Sequence, residues 1–356
     1  MLDVRRIEAA TPAGRDRGVD ALRAVAIVGV VLGHWLVSAW ERNPHLVISS
    51  PLAYMPQLSP VSWVLQTLAV FFLVGGYAAA RGVREPYRSW VVARLVRLAL
   101  PVVPLLLAWA ALGALVSVLN GQPVASVVAL AKPALGPLWF LGVFAALTAL
   151  TPWLVRAGPV AVGAAVTVVA AVDLLRFGLG APAAVGWVNL AAAWLVPYLL
   201  GVLWARGDLC PRRVGPWLLA GGGAAAIALV AWGGYPAAMI GITGQSASNL
   251  SPPTLAAVCF GLAQAGLALL LHGPLSRLMR RPRLWAPVAV ANLGAMSIFL
   301  WHQTALVVTV LAFGLYGRPD TPSWVLERLA WLPVVALALV FMTWCRHRLD
   351  AGRRFW

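Results

Sequence analysis

The sequence predicts an all-α protein, a polytopic bundle of about ten transmembrane helices, and three observations lead to this prediction. Hydrophobic residues make up 61% of the 356 residues, and the mean hydropathy is +0.84. Charged residues make up 11%, far below the roughly 25% that is usual in soluble domains. Ten apolar segments follow one another along the chain, each long enough to cross a hydrocarbon core about 30 Å thick. They leave almost no room for a soluble domain.

The net charge of +16 indicates membrane topology and not nucleic-acid binding. The arginines form short clusters between apolar segments, and no soluble basic face is available to hold a duplex. Of 27 Lys and Arg residues, all but five lie on alternate loops or span ends that begin with the N-terminus. The five are Arg42, Lys132, Arg176, Arg318 and Arg328. Because positive charge is retained inside, both termini are expected in the cytoplasm, with the chain in the plasma (inner) membrane.

The predicted organisation is a cytoplasmic N-terminal tail (1–19), a ten-span domain (20–345) and a basic cytoplasmic tail (346–356). The loop at 41–60, which contains four prolines, is expected to be ordered but irregular. The spans are expected at about 20–40, at about 61–81, up to Asn120, from Leu138, and at about 159–178, 186–205, 214–234, 254–272, 287–314 and 324–345.

The first span contains two costly residues, Arg23 and His34. Eleven residues at about 100° each return to nearly the same direction, so both side chains share one helix face, roughly 16 Å apart along the axis. Asp20 can pair with Arg23 at the i, i+3 spacing. Ionisable groups in a bilayer usually face a bundle interior or a polar cavity, so this face is the first candidate for a site.

The ninth span carries a second histidine and an amide, His302 and Gln303, at a depth close to that of His34. The two histidines could therefore share a chamber. The alternative is that His302 only bridges helices through a hydrogen bond.

Two further sets of polar residues have a structural and a functional interpretation. Arg88, Arg94 and Arg97 belong to the densest cationic run, and guanidinium groups there could bind phosphates or simply set topology. Asp173 is three residues before Arg176, which favours a self-neutralising structural pair over a catalytic carboxylate. The single cysteines 210, 259 and 345 indicate no disulfide framework and no metal site.

Several stretches, taken in order, resemble membrane-bound acyltransferase family 3. They are Asp-x-Leu-Arg-x-x-Ala with His34 eleven residues after Arg23, the motif Phe-Phe-Leu-Val-Gly-Gly-Tyr at 71–77, Arg94-x-x-Arg97, Leu-Trp-Phe-Leu at 138–141 and Leu-Trp-His at 300–302. The resemblance covers nearly the whole chain, including the ten-span layout. One departure is Gly75-Gly76-Tyr77, where Ser-Gly-aromatic is usual.

The resemblance implies O-acylation at the cell envelope. An acyl group, commonly acetyl, would move from a cytoplasmic acyl-CoA to a hydroxyl of an envelope glycan, a lipid-linked sugar or a secreted small molecule. The donor would then commonly be acetyl-CoA. By the family's motif, Arg23 and His34 form the catalytic pair. Arg94 and Arg97, helped by Arg88, would bind the acyl donor, and no metal is expected.

This chemistry agrees with the residues, since transfer from a thioester to an alcohol needs a base or a nucleophile and a neutral imidazole can serve as either. Arg23 could orient the donor or stabilise charge on the thioester oxygen. The alternative is a small-molecule or proton-coupled transporter with a relay through His34, Asp173 and His302. No pair of similarly interrupted helices in two matching halves favours it. A structural scaffold would leave the cost of Arg23 and His34 unexplained.

Overall fold

The computed structural model describes residues 4–42, 46–120, 124–242 and 247–352. Within these ranges, ten helical segments are long and apolar enough to cross a membrane, which confirms the predicted fold class. Arg353 and Arg354 of the predicted basic tail lie outside the described residues.

The helices are, in chain order, α1 (Val4–Ala10), α2 (Arg17–Val37), α3 (Pro51–Tyr54), α4 (Ser59–Leu65), α5 (Leu68–Gly82), α6 (Tyr87–Ala99), α7 (Val102–Asn120), α8 (Val124–Leu135), α9 (Leu138–Leu154), α10 (Pro159–Asp173), α11 (Val188–Arg206), α12 (Pro211–Trp232), α13 (Leu255–Leu278), α14 (Pro282–Leu293), α15 (Ala295–Phe313) and α16 (Pro322–Gly352). The pairs α4 with α5, α6 with α7, and α8 with α9 each build one span. A two-stranded antiparallel hairpin, β1 (Ala39–Arg42) and β2 (Leu46–Ser49), follows α2.

Close contact between α5 and α11 forms the interior of the bundle. Gly76 of α5 lies against the carbonyl of Tyr198, and Gly201 of α11 lies against the carbonyl of Leu73, so a Cβ atom at either glycine would overlap backbone atoms. Small residues allow helices to approach closely in membrane bundles. The glycine pair at 75–76 therefore serves close packing, and α5 continues through it without a break.

The most buried spans are those of α2, α11, α13 and α15, whereas α7, α12 and α16 lie at the periphery. The peripheral helices expose apolar side chains, such as Leu107, Trp217 and Leu337, on their outer faces. Such side chains suit a surface that faces lipid.

The second span is interrupted between α4 and α5, and polar side chains satisfy the interruption. Thr67 Oγ1 donates a hydrogen bond of 2.8 Å to the carbonyl of Ala26 on α2. The side-chain amide of Gln264 on α13 donates to the carbonyl of Gln66. Because bare backbone groups are costly at membrane depth, these bonds allow the irregular turn there.

Two details of the predicted layout are wrong. In its described residues, the loop at 41–60 is ordered as predicted but not irregular, since it contributes strand β2, helix α3 and the start of α4. The ninth span does not begin at 287: α14 is a separate helix that ends before Gly294, and α15 begins at Ala295. Polar contacts hold α14 beside the N-terminal region, since Trp285 Nε1 donates to Thr11 Oγ1 at 2.9 Å and Asn292 Nδ2 donates to the Asp20 carbonyl at 2.9 Å.

Asp16 fixes the start of α2. Its carboxylate accepts a capping hydrogen bond of 3.0 Å from the Val19 amide, contacts His272 Nε2 at 2.9 Å and accepts a bond of 3.0 Å from the Tyr77 hydroxyl. Burial alone would raise the pKa of Asp16, but the contact with His272 and the other hydrogen bonds outweigh it and lower the pKa to about 2. One carboxylate thus joins α2, α5 and α13 at one end of the bundle, called here the Arg23 end.

Candidate active site

The structure brings His34 and His302 together. His34 lies on α2 and His302 on α15, and their ring centroids are 5.2 Å apart with an angle of 50° between the planes. His302 is fully buried and His34 is half-buried. The indole Nε1 of Trp35 donates a 2.8 Å hydrogen bond to the His302 carbonyl, which holds α2 against α15 at this level.

The two imidazoles have different hydrogen-bond partners. His302 Nδ1 lies 2.6 Å from the Phe299 carbonyl. Because a carbonyl only accepts, Nδ1 carries the hydrogen, and the neutral ring keeps its lone pair on Nε2. That Nε2 is buried and has no hydrogen-bond partner among the described residues. His302 is therefore held in one tautomer.

His34 contacts an amide instead of a carbonyl. Gln303 Nε2 lies 3.2 Å from His34 Nδ1, while Gln303 Oε1 is buried without a partner in the described part of the chain. Which way a glutamine amide points is assigned from its hydrogen bonds, and either end can face an imidazole nitrogen. The amide group donates to a bare Nδ1, and after a half-turn it accepts from Nδ1–H. Gln303 can thus support both tautomers of His34.

A small apolar cavity of about 10 Å³ lies beside the histidines; it is called here the phenylalanine cavity. Its lining includes Val30, Val31, Phe71, Phe140 and Phe299. Val30 and Val31 lie one turn before His34 on the same helix, and the Phe299 ring centroid is 6.1 Å from that of His302. Phe140 contacts the rings of Phe71 and Phe299 at 5.1 and 5.3 Å. The cavity is therefore adjacent to the imidazoles on the side toward Arg23.

Arg23 lies on the same unbroken helix as His34, eleven residues earlier. Its Nη1 is 3.7 Å from Asp20 Oδ1, so the predicted i, i+3 pair is present. Arg15 holds the same carboxylate more closely, at 2.5 and 3.0 Å. One acid thus serves two arginines, so Asp20 only partly neutralises the charge of Arg23.

Arg94 adds to that charge. It is half-buried, its guanidinium carbon lies 5.5 Å from the Trp90 ring centroid, and it is close enough to Arg23 and Arg97 for electrostatic repulsion. The guanidinium also rests against Gly82, where a Cβ atom would crowd it. Arg97 and Arg88 are exposed on the same helix. Like charges held together in this way form a candidate anion site.

Asp173 makes no direct salt bridge with Arg176, although the arginine is near enough to attract its carboxylate electrostatically. Its carboxylate accepts from Asn189 Nδ2 at 2.9 Å, the Tyr235 hydroxyl at 3.0 Å and the Leu255 amide at 2.7 Å. The chain widens into a π-helical turn at Leu174–Gly178, so residues three apart no longer share a face. None of these hydrogen bonds leads to His34 or His302, and the relay expected of a transporter is not assembled in the described residues.

Some residues of the site were not predicted. Phe299 sets the tautomer of His302 through its backbone, and Trp109 donates a 3.0 Å hydrogen bond from Nε1 to Thr304 Oγ1 beside the histidines. The sequence contains 18 tryptophans, and nothing local distinguishes Trp35 and Trp109 from those at span ends. Arg328 enters the sequence prediction only as one of the five basic residues on the outer side. An arginine inside an apolar segment is itself a signal of a functional site.

Comparison with known proteins identifies the family. A family model described as an acyltransferase domain, that of acyltransferase family 3, matches residues 16–347, nearly the whole chain. A search of curated proteins and a search of solved structures gave no match. The match includes α2, with Arg23 and His34, and α15, with His302 and Gln303. The chain therefore belongs to acyltransferase family 3, and the protein is a multi-pass membrane acyltransferase.

Proposed function

We propose that the protein moves an acetyl or another short acyl group from cytoplasmic acyl-CoA to a hydroxyl of an acceptor that enters from the opposite side of the plasma membrane. The acceptor is an envelope glycan, a lipid-linked sugar or a secreted small molecule. The observation that carries the proposal is that His34 on α2 lies 5.2 Å from His302 on α15, while the other end of α2 lies beside a group of arginines. These are Arg23, Arg94, Arg97 and Arg88, called here the arginine cluster.

The arginine cluster suits the phosphates of coenzyme A, because guanidinium groups present paired N–H donors to phosphate oxygens. Arg23 and Arg94 are the inner members, and Arg97 and Arg88 lie on the exposed side. His34 is about 16 Å further along the helix axis, given a rise of about 1.5 Å per residue. An extended pantetheine arm spans this gap. The spacing supports donor orientation by Arg23 and not contact of Arg23 with a thioester oxygen at His34.

His34 is the proposed general base. Its Nε2 takes the proton of the acceptor hydroxyl, and the hydroxyl oxygen forms a bond to the thioester carbonyl carbon. The carbon–sulfur bond then breaks, and the leaving thiolate takes the proton from the imidazolium. For the first step Nε2 must be bare, which Gln303 supports when its amide oxygen accepts from Nδ1–H. Gln303 is thus a positioning residue.

The phenylalanine cavity is proposed to receive the acyl group. All its lining residues are apolar. One of them, Phe299, lies 6.1 Å from the His302 ring, and two others, Val30 and Val31, lie one turn before His34 on α2. A volume of about 10 Å³ corresponds to roughly one water-sized group, which a methyl group matches and a longer chain exceeds. Acetyl is therefore the favoured acyl group.

The test is release of the coenzyme A thiol from acetyl-CoA by the purified protein in lipid nanodiscs, with and without candidate acceptors. We expect His34→Ala to lose at least about a hundredfold in kcat, the lower range of general-base contributions. The thermal unfolding midpoint reports whether the variant is folded. Wild-type turnover in a folded His34→Ala protein would remove the assignment.

A further inference from the structure

A second cavity, about 30 Å³ in volume and open on one side, lies at the other end of α2; it is called here the Arg328 cavity. Its lining residues are Leu315, Tyr316, Trp324, Glu327, Arg328 and Trp331. They come from the segment after α15 and from the first turns of α16.

Two hydrogen bonds connect this cavity to the candidate active site. Ser38, the residue that ends α2, donates from its amide to the His34 carbonyl at 3.1 Å. Arg328 Nη2 donates to the Ser38 carbonyl at 3.1 Å. The guanidinium therefore lies about one helical turn beyond His34, on the side opposite Arg23.

Arg328 is only 5% exposed. Its Nη1 is buried and has no hydrogen-bond partner among the described residues. Its guanidinium carbon lies 4.8 Å from the Trp324 ring centroid, within cation–π distance of that ring. A buried N–H donor without an acceptor is costly, so a ligand atom that accepted a hydrogen bond from Nη1 would remove that cost.

The lining defines the chemistry of that ligand. Arg328 offers donors, the exposed carboxylate of Glu327 offers acceptors, and Trp324, Trp331 and Tyr316 offer apolar ring faces. A free anion would be attracted by Arg328 but repelled by Glu327. A hydrocarbon would leave Nη1 unsatisfied. A hydroxyl group both accepts and donates hydrogen bonds, so the hydroxyls of a sugar ring can bind Arg328 and Glu327. The C–H faces of the same ring can pack on the aromatic side chains.

We infer that the Arg328 cavity binds one edge of a neutral sugar ring and so presents an acceptor hydroxyl to His34, one turn away. The volume admits about two hydroxyl-sized groups, and the open side leaves the rest of the ring outside. This inference rests on the proposed function, since it names the acceptor class for the same reaction.

The test measures thiol release from acetyl-CoA in nanodiscs with a panel of acceptors. The panel contains methyl glycosides of glucose, galactose, mannose and N-acetylglucosamine, together with octyl glucoside, glucose 6-phosphate and 1-propanol. We expect at least one neutral glycoside to raise turnover, with 1-propanol inactive and the phosphorylated sugar weaker. A preference for octyl over methyl glucoside identifies a lipid-linked acceptor.

In Arg328→Gln we expect the KM for the active glycoside to rise at least tenfold while the KM for acetyl-CoA is unchanged. Glu327→Gln, an exposed change, provides the same comparison if the first variant does not fold. Arg318→Gln is the matched control, because Arg318 is an exposed arginine on the same side that pairs with Asp320; its turnover should equal that of the wild type.

The outcomes separate the two claims. If the wild type releases thiol in a His34-dependent manner but no glycoside accepts, or the glycoside KM is unchanged in both variants, the sugar site is overturned and the proposed function stands. If no thiol is released with any acceptor, the proposed function itself fails.

Discussion

The His302 ring, 5.2 Å from that of His34, donates from Nδ1 to a backbone carbonyl, whereas the His34 ring meets the side-chain amide of Gln303. A carbonyl fixes one tautomer, and an amide that can turn allows two. The residue whose proton can move is therefore His34, and His302 is its neutral neighbour.

Gln303 is predicted to affect turnover and not donor binding. Gln303→Leu removes the hydrogen bond to His34 Nδ1, so kcat should fall about tenfold or more, a part of what a general base contributes. The KM for acetyl-CoA should stay the same. Gln303→Glu, whose carboxylate form accepts from Nδ1–H, should recover most of the lost rate. A leucine variant with wild-type kcat would show that the contact is only structural.

Arg94 is predicted to bind the donor more strongly than Arg97 does. A charge-assisted hydrogen bond contributes about 1.5–3 kcal/mol, so Arg94→Ala should raise the KM for acetyl-CoA at least tenfold. Arg97→Ala should have a smaller effect that vanishes in high salt, because this side chain is exposed. Arg212→Ala, a change at an exposed arginine in the first turn of α12, is the control. Equal KM values for all three variants would mean that these arginines only set topology.

Phe71 is predicted to limit the length of the acyl chain. Phe71→Ala enlarges the phenylalanine cavity, so the ratio of kcat/KM for butyryl-CoA to that for acetyl-CoA should rise at least tenfold, as expected for one or two methylene groups. Phe72→Ala is a matched control, because Phe72 is fully buried and stacks on Trp194 at 5.0 Å, outside the cavity. An unchanged ratio in Phe71→Ala would show that the phenylalanine cavity does not receive the acyl group.

Asp16 is predicted to stabilise the Arg23 end. Asp16→Ala should lower the free energy of unfolding by about 1 kcal/mol or more at pH 7, since it removes a helix cap together with the contacts to His272 and Tyr77. Asp16→Asn should cost less, because asparagine also caps. Thermal unfolding in nanodiscs measures both, and equal midpoints for all three proteins would contradict the prediction.

The same carboxylate predicts a pH dependence. The pKa of Asp16 is lowered from an ordinary 3.8 to about 2, so its ionised form is favoured by folding. The stability it adds is present above about pH 4 and is lost as the pH falls toward 2. The difference in unfolding midpoint between wild type and Asp16→Asn should therefore shrink over that window. A constant difference would mean that the charge on Asp16 adds nothing.

Cys210 is predicted to face the cytoplasm, because it lies in the connection between α11 and α12, which the distribution of positive charge places on the cytoplasmic side. This cysteine is exposed, whereas Cys259 and Cys345 are only partly so. A membrane-impermeant maleimide should label Cys210 in inside-out vesicles and not in right-side-out vesicles or intact cells. Cys210→Ser should lose this labelling. Labelling from the outer side would reverse the proposed topology.

The fold class followed from hydropathy because span length and apolar composition are properties of the chain alone. The nearness of His34 and His302 also followed, as a possibility, from their equal depth. What did not follow depends on packing between distant segments. The partner of His34 is Gln303, and that choice is set by the rotation of α15 against α2, which no local pattern encodes.

The Asp173 prediction shows a second limit. The i, i+3 rule assumes a regular α-helix, and the π-helical turn at Leu174–Gly178 contains Arg176, so the rule does not hold for Asp173 and Arg176. Likewise, α14 looked like part of a long apolar span, but its contacts with Thr11 and Asp20 set it apart. Residues far apart in the chain decided both cases.

The phenylalanine cavity and the Arg328 cavity share no lining residue. A continuous water-filled passage would let protons run down the membrane voltage, and each would dissipate about 2.3 kcal/mol per 100 mV. If the acyl group and the acceptor hydroxyl approach His34 from these two separate cavities, as proposed, the reaction can cross the bilayer while the cell keeps its electrochemical gradient.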